Sequence, residues 1–235
     1  MVIMITFKRP DGKDCSAYYV EPTAGNRAPG LVVIQEWWGL NDQIKGVANR
    51  FAEAGYRALV PDLYRGKVGL DAKEAEHLMT NLNFGDAATQ DIRGAVQYLK
   101  QTSSKAGVTG FCMGGALTLL GAVNVPEADA AVCWYGCPPL DYIDATKIKI
   151  PLQGHWALED AYFPIQQIDA LEEKLNKASV HYDFYRYNAK HAFANETLHD
   201  PSHPIAYDRP SADAAWARTL TFLKQHLSGS RTQSA

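Results

Sequence analysis

Cysteine is scarce in this chain: there are four in 235 residues. That excludes a small disulfide-stapled scaffold and fits free thiols in a reducing cytoplasm. Charged residues make up only 21% and sum to a net −3, which argues against a nucleic-acid-binding protein. No basic tract marks a membrane surface, and no apolar run is long enough to span a bilayer. The apolar opening, Met1 to Phe7, lacks a basic flank and a small-residue cleavage site, so it reads as a first strand and not a signal peptide. Internal repeats, low-complexity blocks and interdomain linkers are also missing. What is present is 46% hydrophobic residues over a length that suits one soluble α/β domain. That domain is expected at 1–227, with a polar, disordered tail at 228–235.

Residues 2–8 and 17–22 alternate like an antiparallel pair, with Asp11-Gly12 as the turn. Strands are expected at 31–35, 57–60, 105–109, 130–135, 148–154 and 180–187. Helical apolar spacing covers 42–54, 73–82, 86–100, 116–122, 164–176 and 211–226. Alternating strands and helices predict a mostly parallel sheet covered on both faces.

The most informative stretch is Gly110-Phe111-Cys112-Met113-Gly114-Gly115, between an expected strand and an expected helix. This is the setting of a nucleophile elbow, G-x-S-x-G, with Cys in place of Ser. Glycines are needed because side chains there would collide with the neighbouring strand and helix. A helix N-terminus directed at the sulfur favours thiolate. The competing reading is a buried Cys among glycines that only ease helix packing.

A Cys nucleophile needs a base and a group to orient that base. In α/β-hydrolases these follow in the order nucleophile, acid, His. Beyond the strand expected at 148–154, with His155 at its exit, lie Glu159 and Asp160. Asp160 is the better acid, since D-x-x-x-P at a helix start, here running to Pro164, suits that position. His191 follows the last expected strand and is the candidate base. The other six histidines fit worse: His155 precedes the acid, His181 is expected inside a strand, and His77 and His226 lie on helices. His199 and His203 share a Pro-rich loop with Asp200 but have no further ligand cluster. An oxyanion hole is expected from the Met113 N–H and the Trp37 N–H, the latter in the loop Gln35-Glu36-Trp37-Trp38-Gly39. Trp37 and Trp38 also suit a pocket wall.

Taken together these residues resemble the dienelactone hydrolase (carboxymethylenebutenolidase) family over nearly the whole chain. The marks are 35–41, Pro61-Asp62-Leu63-Tyr64, the elbow, Trp134-Tyr135-Gly136, Asp160 with Pro164, and His191-Ala192-Phe193. The resemblance implies an α/β-hydrolase fold and a cofactor-free, metal-free hydrolase of a small lactone or ester. The implied triad is Cys112, His191 and Asp160, in a monomer or small homo-oligomer. It also implies that Glu36 contacts the resting thiol and helps to form the thiolate. Trp38, Tyr64 and Trp134 are the implied substrate contacts. Family members that open dienelactone carry a carboxylate-gripping arginine where this chain has Asn195, and a second near Lys73; Arg65 and Lys67 are the nearby cations. A bidentate arginine is not replaced by one lysine, so the chain departs from the family pattern there. Two other readings stand beside this one. One is a broad esterase or thioesterase. The other is a thiol-based redox or ligand-binding protein in which Cys133 or Cys137 resolves an oxidised Cys112.

Overall fold

The computed structural model describes residues 2–23, 25 and 27–228; of the tail expected at 228–235, residues 229–235 lie outside the described residues. Strands β1 (Val2–Lys8) and β2 (Asp14–Val20) form a hairpin closed through Gly12, whose φ of +84° suits glycine. The chain then alternates: β3 (Gly30–Ile34), α1 (Asp42–Glu53), β4 (Arg57–Pro61), α2 (Ala72–Thr80). Next come α3 (Phe84–Asp86), a π-helical stretch (Ala87–Ile92) and α4 (Arg93–Lys100), which run on without a break. The second half is β5 (Ala106–Phe111), α5 (Met113–Asn124), β6 (Ala130–Trp134), β7 (Leu152–Glu159), α6 (Ile165–Lys177), β8 (Tyr182–Lys190) and α7 (Arg209–Leu227).

The eight strands form one sheet in the order β1-β2-β4-β3-β5-β6-β7-β8. Only the β1–β2 and β2–β4 pairs are antiparallel; β4, β3, β5, β6, β7 and β8 run parallel. Every residue of β3, β4, β5 and β6 is buried, as expected of parallel strands with both faces covered. Their period of two divides the core. Leu31 and Val33 join a cluster with α1 (Val47, Phe51) and α7 (Phe222, Leu223). Val32 and Ile34 join one on the other face with Val96 and Leu99 of α4 and Leu117 of α5.

Three strand expectations need correction. β2 spans Asp14–Val20 and not 17–22, because its pairing with β1 extends to Asp14 opposite Lys8 and Pro22 has no N–H to donate. β7 begins at Leu152, because residues 145–147 form a 3-10 turn capped by the Asp144 side chain on the Thr146 N–H (3.1 Å), and Pro151 has no N–H to donate. It then runs past Gly154, held by pairing to β8, so His155 lies within the strand. β8 begins at Tyr182, which puts His181 just ahead of it. The helix expected over 86–100 starts earlier and contains the π-helical stretch. That stretch carries the buried Asp91, which accepts from Arg9 (3.1 Å) and Arg65 (2.8 Å).

Candidate active site

The parallel strands deliver the site. Glu36 follows β3, Cys112 follows β5, Tyr135 follows β6, Asp160 follows β7 and His191 follows β8. These five strands are successive neighbours in the sheet, so their carboxyl ends bring distant residues to one edge.

Cys112 sits at φ 55°, ψ −116°, a backbone conformation that non-glycine residues rarely adopt. Holding it costs about 1–3 kcal/mol, which the surroundings must offset. Its N–H donates to the Trp134 carbonyl (3.0 Å) and its carbonyl accepts from Gly115 (2.9 Å) and Ala116 (3.1 Å), opening α5. Close approach explains the glycines. A Cβ on Gly110 would overlap the Gly114 carbonyl, one on Gly114 the carbonyls of Ile34 and Gln35, and one on Gly136 the Cys112 carbonyl.

The half-buried Cys112 Sγ lies 3.1 Å from His191 Nε2, and His191 Nδ1 lies 2.8 Å from Asp160 Oδ2. Asp160 is fixed in turn: its Oδ1 accepts from the N–H groups of Tyr162 (2.8 Å) and Phe163 (2.9 Å). The rings of Tyr135, Tyr162 and Phe163 surround the imidazole at 5.1–5.5 Å between centroids. Burial disfavours charge on His191, but the Cys112 sulfur and the Asp160 carboxylate outweigh it and push its pKa up to about 10. Burial also holds the other three thiols protonated: Cys15 and Cys137 are pushed up to about 12, and Cys133 is raised well above the usual thiol range. Glu159, by contrast, is exposed at the end of β7.

Glu36 is buried, yet the thiol's partner is His191. The Glu36 carboxylate is held elsewhere: Oε2 accepts from Asn195 Nδ2 (2.8 Å) and Oε1 from the Tyr135 hydroxyl (3.4 Å). Burial raises the Glu36 pKa, with Asn195, His191 and Tyr135 opposing in part. The hydrogen bonds of the Glu36 carboxylate thus run to Asn195 and Tyr135, and that of the Cys112 thiol to His191.

A cavity of about 850 Å³ opens onto these groups. Cys112, His191, Glu36, Trp37, Trp38 and Met113 all line it. The remaining expected contacts fall elsewhere. Tyr64 is buried behind Met113, its hydroxyl 3.2 Å from the sulfur. Trp134 is 1% exposed and packs between Phe111 and His155. Arg65 Nη2 donates to both carboxylate oxygens of Asp91, at 2.8 and 3.0 Å, and Nη1 to the Asp62 carbonyl (2.8 Å). Lys73 is exposed on α2 and is not among the lining residues. Asn195 is 1% exposed and spends its amide on Glu36 and its carbonyl on Thr197, so it is no stand-in for a substrate-gripping arginine.

Sequence reasoning missed the roles of Tyr135, Tyr162 and Phe163. Tyr135 lay in a motif already singled out, and its φ of 37° is a property only the fold exposes. The amides of residues 162 and 163 carry no side-chain signal at all.

The profile of the dienelactone hydrolase family matches residues 15–227. The chain belongs to that family. Protein usf of Aquifex pyrophilus is 34% identical over 235 residues, covering 95% of this chain and 98% of its own length. An Aquifex aeolicus protein, provisionally named a carboxymethylenebutenolidase, is 29% identical with the same coverage. A Klebsiella pneumoniae crystal structure, provisionally named a dienelactone hydrolase, superposes with a TM-score of 0.83 at 24% identity. It covers 96% of this chain and 100% of its own, and at that identity the likeness speaks for the fold alone. Dienelactone hydrolase family membership makes this a carboxylic-ester hydrolase of that type.

Proposed function

We propose that Cys112 is the nucleophile, His191 the base and Asp160 the orienting acid of a hydrolase that opens enol lactones through a thioester. The supporting observation is the continuous pair of short contacts, Sγ to Nε2 at 3.1 Å and Nδ1 to Oδ2 at 2.8 Å, beneath the elbow. Asp160 fixes the tautomer by accepting from Nδ1–H, leaving Nε2 for the sulfur proton. The thiolate attacks the lactone carbonyl, and the Trp37 and Met113 amides hold the developing oxyanion. One such donor is worth about 10²–10³ in rate. The carbon–oxygen bond of the ring breaks, and the enolate, still tethered to the acyl group, takes the proton that Nε2 accepted from the sulfur, which leaves His191 neutral. Water, activated by His191, then cleaves the thioester and returns the thiol. Thiolate is itself a good leaving group, so an ordinary alkoxide competes poorly with it for departure. A stabilised enolate does not, which favours an enol lactone. Glu36 assists thiolate formation from beside His191. Four free cysteines fit a cytoplasmic setting.

The test is steady-state hydrolysis of a neutral enol lactone, 5-methylene-2(5H)-furanone (the dienelactone ring without its carboxylate), beside p-nitrophenyl acetate, with wild type and Cys112→Ala. Loss of at least about 10³-fold in kcat with an unchanged melting temperature is expected. Wild-type turnover by the alanine variant would rule out the nucleophile. Activity on the aryl ester alone would keep the triad and remove the lactone.

A further inference from the structure

The cavity at Cys112, about 850 Å³, has the size of sites that enclose drug-sized ligands. Its wall is apolar. Met79, Phe84 and Leu120 line it from the helices, and Phe163, Leu198 and Ile205 from the segments around His191. Asn83, Asn124, Tyr142 and Tyr162 also line it; they are neutral, and each asparagine has one end of its amide engaged within its own helix. Asn83 Oδ1 accepts from the Asp86 N–H (2.9 Å), and Asn124 Nδ2 donates to the Leu120 carbonyl (2.8 Å).

Among the described residues, no lysine or arginine lines the cavity. Arg65 is paired with Asp91, and Asn195 is bound to Glu36. Among the described residues, the one lining group able to carry positive charge is His191, which already lies between Asp160 and Cys112. A carboxylate entering this cavity would lose its water and gain no counter-ion, at a large penalty. An alkyl or aryl group would lose water favourably and gain contacts.

We propose that this enzyme takes uncharged, lipophilic acyl groups. Its substrates are neutral esters or lactones with a medium-length alkyl or aryl acyl part, and acyl groups bearing a carboxylate are rejected. The inference rests on Cys112 being the acyl acceptor.

Two measurements separate a failure of this inference from a failure of that reading. The first is kcat/KM for p-nitrophenyl acetate, butyrate and octanoate, and for p-nitrophenyl hemisuccinate beside its neutral methyl ester. A buried methylene is worth up to about fourfold, so a rise of at least about tenfold from acetate to octanoate is expected. The hemisuccinate should fall about 100-fold below its methyl ester. A flat chain-length series, or a hemisuccinate as good as its ester, overturns the proposal. The second measurement needs no turnover: protection of Cys112 from iodoacetamide, read by peptide mass, with octanamide and the monoamide of octanedioic acid. Octanamide should protect at a concentration at least about tenfold lower. Equal or better protection by the anion overturns the inference even if hydrolysis proves independent of Cys112.

Discussion

Glu36 carries a cost in stability that its proposed part in thiolate formation would account for. Burial raises its pKa above the ordinary 4.5. A carboxyl whose folded pKa lies above its unfolded value contributes stability that is fully present below the unfolded pKa and lost as pH rises through the folded one. Glu36→Gln is therefore expected to raise the thermal midpoint at pH 8, with the gain shrinking towards pH 4. Gln can still accept from Asn195, so that hydrogen bond survives. Pre-steady-state acylation should slow in the same variant. A midpoint unchanged at every pH would show that the carboxyl is not strained, and an unchanged acylation rate would remove it from the chemistry. The nucleophile, acid and base candidates were legible because each has a local setting: Cys112 between glycines, Asp160 ahead of Pro164, His191 in a small-residue turn. The Glu36–Asn195 pair was not, since its members are 159 positions apart and nothing local links them. Arg65 had no local signal either; only the fold reveals that Asp91 claims it.

At the level of elements, the elbow is a junction where β5, β6 and α5 approach more closely than side chains allow. Gly136→Ala would drive a methyl group into the Cys112 carbonyl and to 2.7 Å from the Ala116 nitrogen, both backbone atoms that cannot swing aside. A loss of about 3 kcal/mol or more by urea unfolding is expected. Gly46, in the middle of α1, has open space around a built Cβ, so Gly46→Ala should instead stabilise by about 0.5–1 kcal/mol. Equal effects at the two positions would contradict the packing argument. The elements themselves were largely legible, because β-branched runs and amphipathic spacing are local properties. β7 was misjudged since its end depends on pairing with β8 and its start on a proline and a capped turn, and hydrophobicity alone registers neither. The π-helical stretch was not visible for the same reason: its buried Asp91 answers to Arg9 and Arg65 from other parts of the chain.

For the molecule as a whole, acid sensitivity should centre on His155, which lies inside the sheet and not in the site. Nδ1 pairs with the Tyr187 hydroxyl (2.9 Å), and Nε2 with Gln153 (3.0 Å) and Thr219 (2.9 Å), joining β7, β8 and α7. Burial, helped by Arg218, lowers its pKa from 6.5 to about 3. A histidine with a depressed folded pKa contributes stability that is present above the unfolded value and lost as pH falls through the folded one. Unfolding free energy should therefore decline between pH 6.5 and 3, with a slope approaching about 1.4 kcal/mol per pH unit from this group. His155→Gln should flatten that slope; an unchanged profile would move the acid sensitivity elsewhere.

The placement of the tryptophans gives the cavity an optical consequence. Trp37 and Trp38 stand half-buried in its wall, 5.2 Å apart, while Trp134 and Trp156 are sealed in the core. Indole emission responds to the polarity and hydration of its surroundings, and on filling the cavity those change for the first two and not for the sealed pair. Occupancy of the wild-type protein can thus be followed by its intrinsic fluorescence in stopped flow, with no label and no chromogenic leaving group, for any compound that enters, including one that never reacts.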